Sequence, residues 1–221
     1  MILSMAVIVL IAGPPKAAPG NKAEQKLIEQ VRDKYSRLGA FAMHIDHQDT
    51  SGLFQGKYSQ NLRWRKGGVF ELVAVSKDVK NEKDLPNYYA SGREVVEVLP
   101  NKQKRYSPVA LPPGTSAGWE TGGGSILSWL QATEAGDWAI GKKIGQAVSW
   151  KFGPRTVWHG LKCRELKLSG KPAGSRMSIF VDEKDKTLLG METDILHKVG
   201  WELYSKQDFN PVLPSTLGKL P

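Results

Sequence analysis

The sequence is poor in cysteine: Cys163 is the only one among 221 residues. An internal disulfide and any site held by several thiolates are therefore excluded. Histidine is scarce as well, with four scattered residues, so a histidine-rich metal centre is not expected. One long apolar run occurs, Ile2 to Ala12. Eleven helical residues rise only about 16 Å against a hydrocarbon core of roughly 30 Å. No second run is long enough to span a bilayer, which excludes a multi-pass helical membrane protein. Acidic residues are outnumbered, 22 Asp and Glu against 31 Lys and Arg. The resulting +9 favours acidic partners or surfaces without naming one. The rest is ordinary: 40% hydrophobic and 24% charged residues can bury a real core, and the length suits one domain of generous size.

Met1 to Gly20 reads MILSMAVIVLIAGPPKAAPG. The apolar run followed by small residues and prolines predicts a secretory signal over residues 1–20. No Lys or Arg precedes the run, and Ala18-Pro19-Gly20 and Leu10-Ile11-Ala12 are both imperfect cleavage sites. A wrongly assigned start or a buried N-terminal strand is the alternative. With no cysteine near the cleavage region, no lipid anchor is expected there. Residues 21–221 read as one mature domain, periplasmic or otherwise exported.

Asn21 to Leu38 has helical spacing, with Leu27, Val31, Tyr35 and Leu38 on one stripe and Ile28 beside it. Asn21 and Glu24 resemble a capping box, and Gly39 is placed to stop the helix as a C′ residue. From Ala40 the period changes to two. Phe41, Met43 and Ile45 alternate with polar or small neighbours, as do Leu62 and Trp64; Phe70, Leu72 and Ala74; Val96 and Val98. Further on, the same holds for Leu166 and Leu168; Met177, Ile179 and Val181; Leu189, Met191, Thr193 and Ile195; Trp201 and Leu203. Turn signals separate these runs, among them Lys66-Gly67-Gly68, Ser91-Gly92 and Asp182-Glu183-Lys184-Asp185. The pattern predicts a meander of antiparallel strands, each with one apolar and one wet face. The fold class is α+β: a single curved antiparallel sheet, an unclosed β-barrel, covered by the long N-terminal helix and a short lid helix. Pro108 to Gly124 is rich in Pro and Gly, and reads either as a surface loop or as a flap over an apolar opening. Ser125 to Thr133 (SILSWLQAT) supplies the short helix, with Ile126, Trp129 and Leu130 on one face.

No catalytic constellation emerges. His44 and His47 point to opposite faces of a strand, so they cannot share an ion and read as surface or edge histidines. Ser125 follows three glycines, without the G-x-S-x-G spacing of a nucleophile elbow, and better caps the helix beginning near Ile126. Cys163 lies between Lys162 and Arg164 but has no placed base, and reads as a small packed residue. The basic residues sit at strand edges and turns, away from the aromatics, which argues against nucleic acid. Transient contact with an anionic membrane surface is the weaker expectation.

A sheet with one apolar face and little helical cover can leave a hydrophobic cavity. Met43, Met177 and Met191 on that face suit an interior that adapts to different apolar shapes.

The order of motifs resembles a known family. Tyr35-x-x-Leu38 ends the first helix, and Trp64-x-Lys66 is followed by Gly68-Val69-Phe70. Ser91-Gly92-Arg93 precedes Leu99-Pro100-Asn101-Lys102-Gln103. Downstream, Gly160-Leu161-Lys162-Cys163-Arg164-Glu165-Leu166 leads to Val181-Asp182-Glu183 and Leu188-Leu189-Gly190-Met191. This is similar to the LolA-type outer-membrane lipoprotein carriers and their superfamily of exported lipid-handling domains. Glu71 stands where those carriers have arginine, Ser91 replaces their turn aspartate, and the insert after Val109 is long. The resemblance implies a non-enzymatic carrier that binds lipid or lipoprotein acyl chains in a hydrophobic cavity, with no cofactor, metal or catalytic residue. An envelope sensor or protein-interaction module of the same fold, with an envelope protein as partner, is the alternative. The residues expected to line the cavity are Phe41, Met43, Trp64, Phe70, Leu72, Val96, Val98, Trp129, Leu166, Met177, Ile179 and Met191.

Overall fold

The computed structural model describes residues 22–49, 56–79, 86–99, 101–102, 104–108, 149–169, 176–195 and 198–221. The expected signal segment, the capping Asn21, the Pro/Gly-rich stretch beyond Pro108, the expected short helix and Trp129 lie outside the described residues. One helix, α1 (Lys22–Ser36), precedes eleven strands. Strands β1 to β6 are Ala40–Asp49, Gly56–Arg65, Val69–Val79, Asn87–Ser91, Glu94–Val98 and Lys104–Pro108. Strands β7 to β11 are Ser149–Trp158, Leu161–Ser169, Arg176–Asp182, Thr187–Ile195 and Lys198–Asp208. No helix among the described residues is long and apolar enough to cross a membrane.

All eleven strands form one antiparallel sheet in the order β6-β5-β4-β3-β2-β1-β11-β10-β9-β8-β7. The chain starts in the middle, meanders out to β6, and meanders back from β7 until β11 pairs with β1. Among the described residues each end strand, β6 and β7, is paired on one side only, and the sheet is not closed into a barrel. The turns follow from composition. At Lys66-Gly67-Gly68 both glycines take positive φ, 94° and 71°, the backbone that a tight hairpin requires.

Helix α1 buries Leu27, Val31 and Tyr35, the stripe expected from its spacing, and Leu38 just beyond it. Each such side chain contributes roughly 1.5–3 kcal/mol. Its end is anchored through Tyr35. The hydroxyl donates to Gln207 Oε1 at 2.8 Å and accepts from the Leu188 N–H at 3.1 Å. Gln207 Nε2 in turn donates to the Leu188 carbonyl at 2.6 Å. The Tyr35 ring meets Phe41 and Phe209 edge-on, with centroids 5.9 and 5.7 Å away. At the other end, Arg164 of β8 pairs with Glu24 at 3.6 Å. The helix therefore lies across the β8–β11 side of one sheet face, called the inner face below. Gly39 does not take the left-handed conformation expected of a C′ stop. The helix ends instead in a tight turn, Leu38 N–H to the Tyr35 carbonyl, and the Gly39 carbonyl accepts from Lys66 N–H.

The sheet departs from the expected one-sided burial in β7–β11. A second apolar cluster, Trp158, Cys163, Phe180 and Leu189 with Trp201 and Leu203 against it, lies on the outer face. A bulge between Leu188 and Gly190 explains how β10 serves both faces. Leu188 and Met191 stay on the inner face, while Leu189 joins the outer cluster. Register also puts Glu202 and Tyr204 inside and Trp201 and Leu203 outside, the reverse of what hydrophobicity suggests.

Candidate functional site: the inner face of the sheet

Register fixes which side chains share the inner face. Phe41 opposes Trp64, Met43 opposes Leu62, and Ile45 opposes both Gln60 and Tyr204. Beyond them, Trp64 opposes Phe70, Leu62 opposes Leu72, and these meet Ala90 and Tyr88 of β4. On the other side, Met191 opposes Ile179, Ile179 opposes Leu166, and Met177 opposes Leu168. One apolar cluster runs through these residues from Val95 of β5 to Phe152 of β7 and includes the helix stripe.

Of the expected cavity residues, Phe41, Met43, Trp64, Phe70, Leu72, Leu166, Ile179 and Met191 are buried on this face, and Met177 packs against it partly exposed. Val96 and Val98 are misplaced by one residue. Val95 opposes Ala90 on the inner face, whereas Val96 opposes Tyr89 on the other. Two adjacent valines leave the phase of a five-residue strand ambiguous, and the Ser91-Gly92 turn settles it. Glu97 consequently turns inward, where its carboxylate accepts from the Tyr88 hydroxyl at 3.2 Å.

Toward the end of β1 far from the helix, the inner face becomes polar. His47 is 3% exposed and Gln60 wholly buried, so His47 is not the surface or edge residue expected from sequence. The His47 ring stacks on Tyr58, centroids 4.4 Å apart and 11° from parallel. Its Nδ1 faces Glu202 Oε1 at 3.8 Å, beyond hydrogen-bond reach. Glu202 Oε2 accepts from the Tyr204 hydroxyl at 2.8 Å. Burial drives the His47 pKa down to about 3; the nearby Gln60 amide opposes the fall and His44 adds to it. The ring is therefore neutral at ordinary pH and forms no ion pair with Glu202. Burial, with the Glu202 charge, pushes the Tyr204 hydroxyl well above its usual pKa. Gln60 stands near His47, but the two miss hydrogen-bond geometry. His47 Nε2, both amide atoms of Gln60 and Trp64 Nε1 are buried with no hydrogen-bond partner in the protein. The alternation that found Ile45 and Leu62 also reaches His47 and Gln60, two residues further along each strand. Their polarity is what hid them.

His44, on the outer face, hydrogen-bonds Asn61 at 2.8 Å and Asp46 at 3.2 Å. Among the described residues no cluster of three His, Cys, Asp or Glu can hold a metal ion. Cys163 is buried in the outer cluster, where burial raises its thiol pKa, as suits a packed residue.

No protein-family model matches the chain, and no curated protein matches it in sequence. Solved structures do. The chain is similar to LprF from Mycobacterium bovis, with 12% identity and a TM-score of 0.53 over 88% of this chain and 97% of that one. The Mycobacterium tuberculosis lipoprotein LppX matches at 11% identity and a TM-score of 0.52, over 87% and 98% of the two chains. The LolA superfamily protein NE2245 from Nitrosomonas europaea matches at 10% identity and a TM-score of 0.37, over 86% and 94%. At such identities the likeness is one of fold. With LprF and LppX the likeness extends over nearly the whole of each chain, and the shared feature is the fold of the sheet and its helix.

Proposed function

We propose that the protein is an exported, non-enzymatic carrier that binds the acyl chain of a lipid or lipoprotein on its inner face. The observation that supports this reading is a mismatch of size. Eleven strands span about 50 Å when laid flat, and the apolar cluster runs across nearly all of them. The one described helix, 15 residues long, measures about 22 Å by 10 Å. A sheet so wide must curl, and its apolar side then faces an interior that the helix covers only in part. Acyl binding needs no catalyst. Each buried methylene contributes about 0.8 kcal/mol, so a twelve-carbon chain supplies roughly 10 kcal/mol before ordering costs. Residues 1–20 fit a secretory signal, and the net charge of +9 suits brief contact with an anionic membrane surface.

A sensor that recruits a protein along a sheet edge is the rival reading. Pro108 closes β6, and Gly153-Pro154 interrupts β7 at a register shift, so both edges are poor templates for an added strand. Titrating the full chain with a fluorescent acyl probe tests the carrier reading. Phe70→Glu and Met191→Glu are expected to weaken binding at least ten-fold while Arg63→Ala, on the outer face, leaves it unchanged. If both glutamate variants stay folded and bind like wild type, the inner face is not the site.

A further inference from the structure

Strand register gathers one set of strand ends along a single rim of the sheet. The hairpins β2–β3, β4–β5, β7–β8 and β9–β10 turn there, β1 begins there and β11 ends there. Among the described residues four large apolar side chains are exposed, and three of them, Val157, Leu161 and Val212, belong to this rim. Val157 and Leu161 flank the β7–β8 turn, where His159 and Gly160 both take positive φ, 47° and 80°, as a tight two-residue hairpin requires. Strand β8 pairs with β9 only from Arg164 onward, so Leu161 stands three residues past that pairing, roughly 10 Å. Trp158 fixes the tip by stacking on Phe180 and bonding to Glu192. Val212, 100% exposed, sits on a bow held at both ends. Phe209 packs against Tyr35 and Phe41, and the buried Leu217 donates its N–H to the Pro214 carbonyl at 3.0 Å. A Cβ at Gly218 would touch Val69, so the bow runs along the rim to the β2–β3 turn. Apolar side chains held out on ordered backbone lose little further freedom when something covers them.

The same rim is basic. Arg37, Arg65, Lys66, Arg93, Lys162 and Lys184 are exposed along it, against Glu94, Asp185 and Asp208. Glu183, in the β9–β10 turn, is engaged by Arg155 and Arg164. Separate aliphatic side chains set among lysine and arginine suit a lipid interface, where the aliphatics enter the headgroup layer and the cations meet its phosphates. A protein interface has the opposite make-up, a continuous apolar core depleted of lysine. We propose that this rim docks on an anionic lipid surface, with Val157, Leu161 and Val212 entering the headgroup layer and the basic residues of the turns around them. The proposal adds an orientation to the carrier reading and rests on that reading only for what the contact is for. Register puts Phe41, Trp64 and Phe70 just inside this rim and His47 and Gln60 toward the other end of their strands. A docked sheet therefore presents the apolar end of its inner face to the bilayer.

The test is co-sedimentation of the full chain with vesicles of phosphatidylcholine alone, or of phosphatidylcholine mixed two to one with phosphatidylglycerol. At low salt wild type is expected to bind the anionic vesicles at least about ten-fold more tightly than the neutral ones. Lys162→Glu combined with Lys184→Glu is expected to weaken that binding by at least about ten-fold. Lys57→Glu combined with Arg176→Glu, exposed toward the opposite ends of their strands, changes the net charge equally and is expected to cost no more than about three-fold. Val157→Ser combined with Val212→Ser is expected to lower the binding that persists in roughly 0.5 M salt by about five-fold. Both residues are exposed, so thermal melting is expected to stay at the wild-type midpoint. Equal losses from the two charge pairs mean attraction by net charge alone and overturn the rim. Binding that vanishes in high salt, or that the serine pair leaves unchanged there, overturns the apolar contact. Wild type that ignores the anionic vesicles overturns docking on lipid, and the acyl-probe titration then decides the carrier reading by itself. Vesicle docking through the rim with no acyl-probe binding overturns the carrier reading and leaves the rim standing.

Discussion

Trp64 and Trp158 lie on opposite faces of the same sheet, both nearly out of solvent, and differ in one bond. The Trp158 indole N–H donates to Glu192 Oε1 at 2.7 Å, whereas Trp64 Nε1 has no partner. The difference extends to their surroundings. Trp158 stacks on Phe180, centroids 4.1 Å apart and 8° from parallel, and His159 bridges from its edge to Trp201. That outer cluster is small and its central indole is satisfied. The inner cluster is several times larger and holds four unpartnered polar atoms on Trp64, His47 and Gln60. Completed polar bonding marks a cluster that only supports the sheet. Repeated omissions are what the proposed acyl-binding face requires of a surface that completes its hydrogen bonds with a bound lipid.

Gly190 offers the hardest test of how tightly the outer cluster is closed. A Cβ placed there would lie 2.2 Å from the Glu202 carbonyl oxygen and 2.4 Å from the Trp158 ring. Neither neighbour can yield without breaking the β10–β11 ladder or the Trp158–Phe180 stack. Gly190→Val is therefore expected to cost more than about 4 kcal/mol, enough to unfold a marginal domain, and urea denaturation of purified protein measures it. A loss below about 1 kcal/mol would show the outer face to be loose, and the contrast with the inner face would vanish.

That bulge also shows where sequence reasoning stops. The helix stripe Leu27, Val31 and Tyr35 and most of the strands were legible, because burial of one face imposes period 3.6 or 2 on residue type. Eight of the twelve expected lining residues are buried on the inner face for the same reason. Periodicity identifies which residues share a face only while the strand stays regular. One extra residue at Leu188/Gly190 shifts the phase, and Leu189 changes sides. It also cannot name a face when both are apolar, as with Trp201 and Leu203 outside and Tyr204 inside. Gln60 and His47 were missed because hydrophobic patterning reads a buried amide or imidazole as solvent-facing.

His47 gives the inner face a pH signature. Its folded pKa of about 3 lies below the unfolded value of 6.5. Below pH 6.5 the unfolded chain takes up a proton that the folded chain refuses, so the unfolded state gains. The contribution is fully present above pH 6.5 and is lost as pH falls toward 3. The total is a few kcal/mol, on the order of 1.4 kcal/mol for each pH unit crossed. His47→Phe keeps the stack on Tyr58 and removes the titration. Carboxylates titrate in the same range, so the quantity to compare is the stability difference between variant and wild type at pH 7, 5 and 4. That difference is expected to grow in the variant's favour as pH falls. A constant difference would place His47 in contact with solvent or a protonating partner.

The finest test exchanges the two indoles for benzenes. Trp158→Phe and Trp64→Phe remove the same atoms from positions of similar burial, so their losses of transfer energy and of packing largely cancel. What remains is the hydrogen bond. Trp158→Phe gives up a bond to Glu192, whereas Trp64→Phe discards an N–H without a hydrogen-bond partner in the protein. Trp158→Phe is therefore expected to be the less stable by about 1–3 kcal/mol, read as the difference in urea midpoints at equal slope. Acyl-probe affinity should respond in the opposite sense, unchanged by Trp158→Phe and altered by Trp64→Phe. Equal stabilities would mean that Trp64 Nε1 is satisfied in solution, and the inner face would then be no less complete at that position than the outer one.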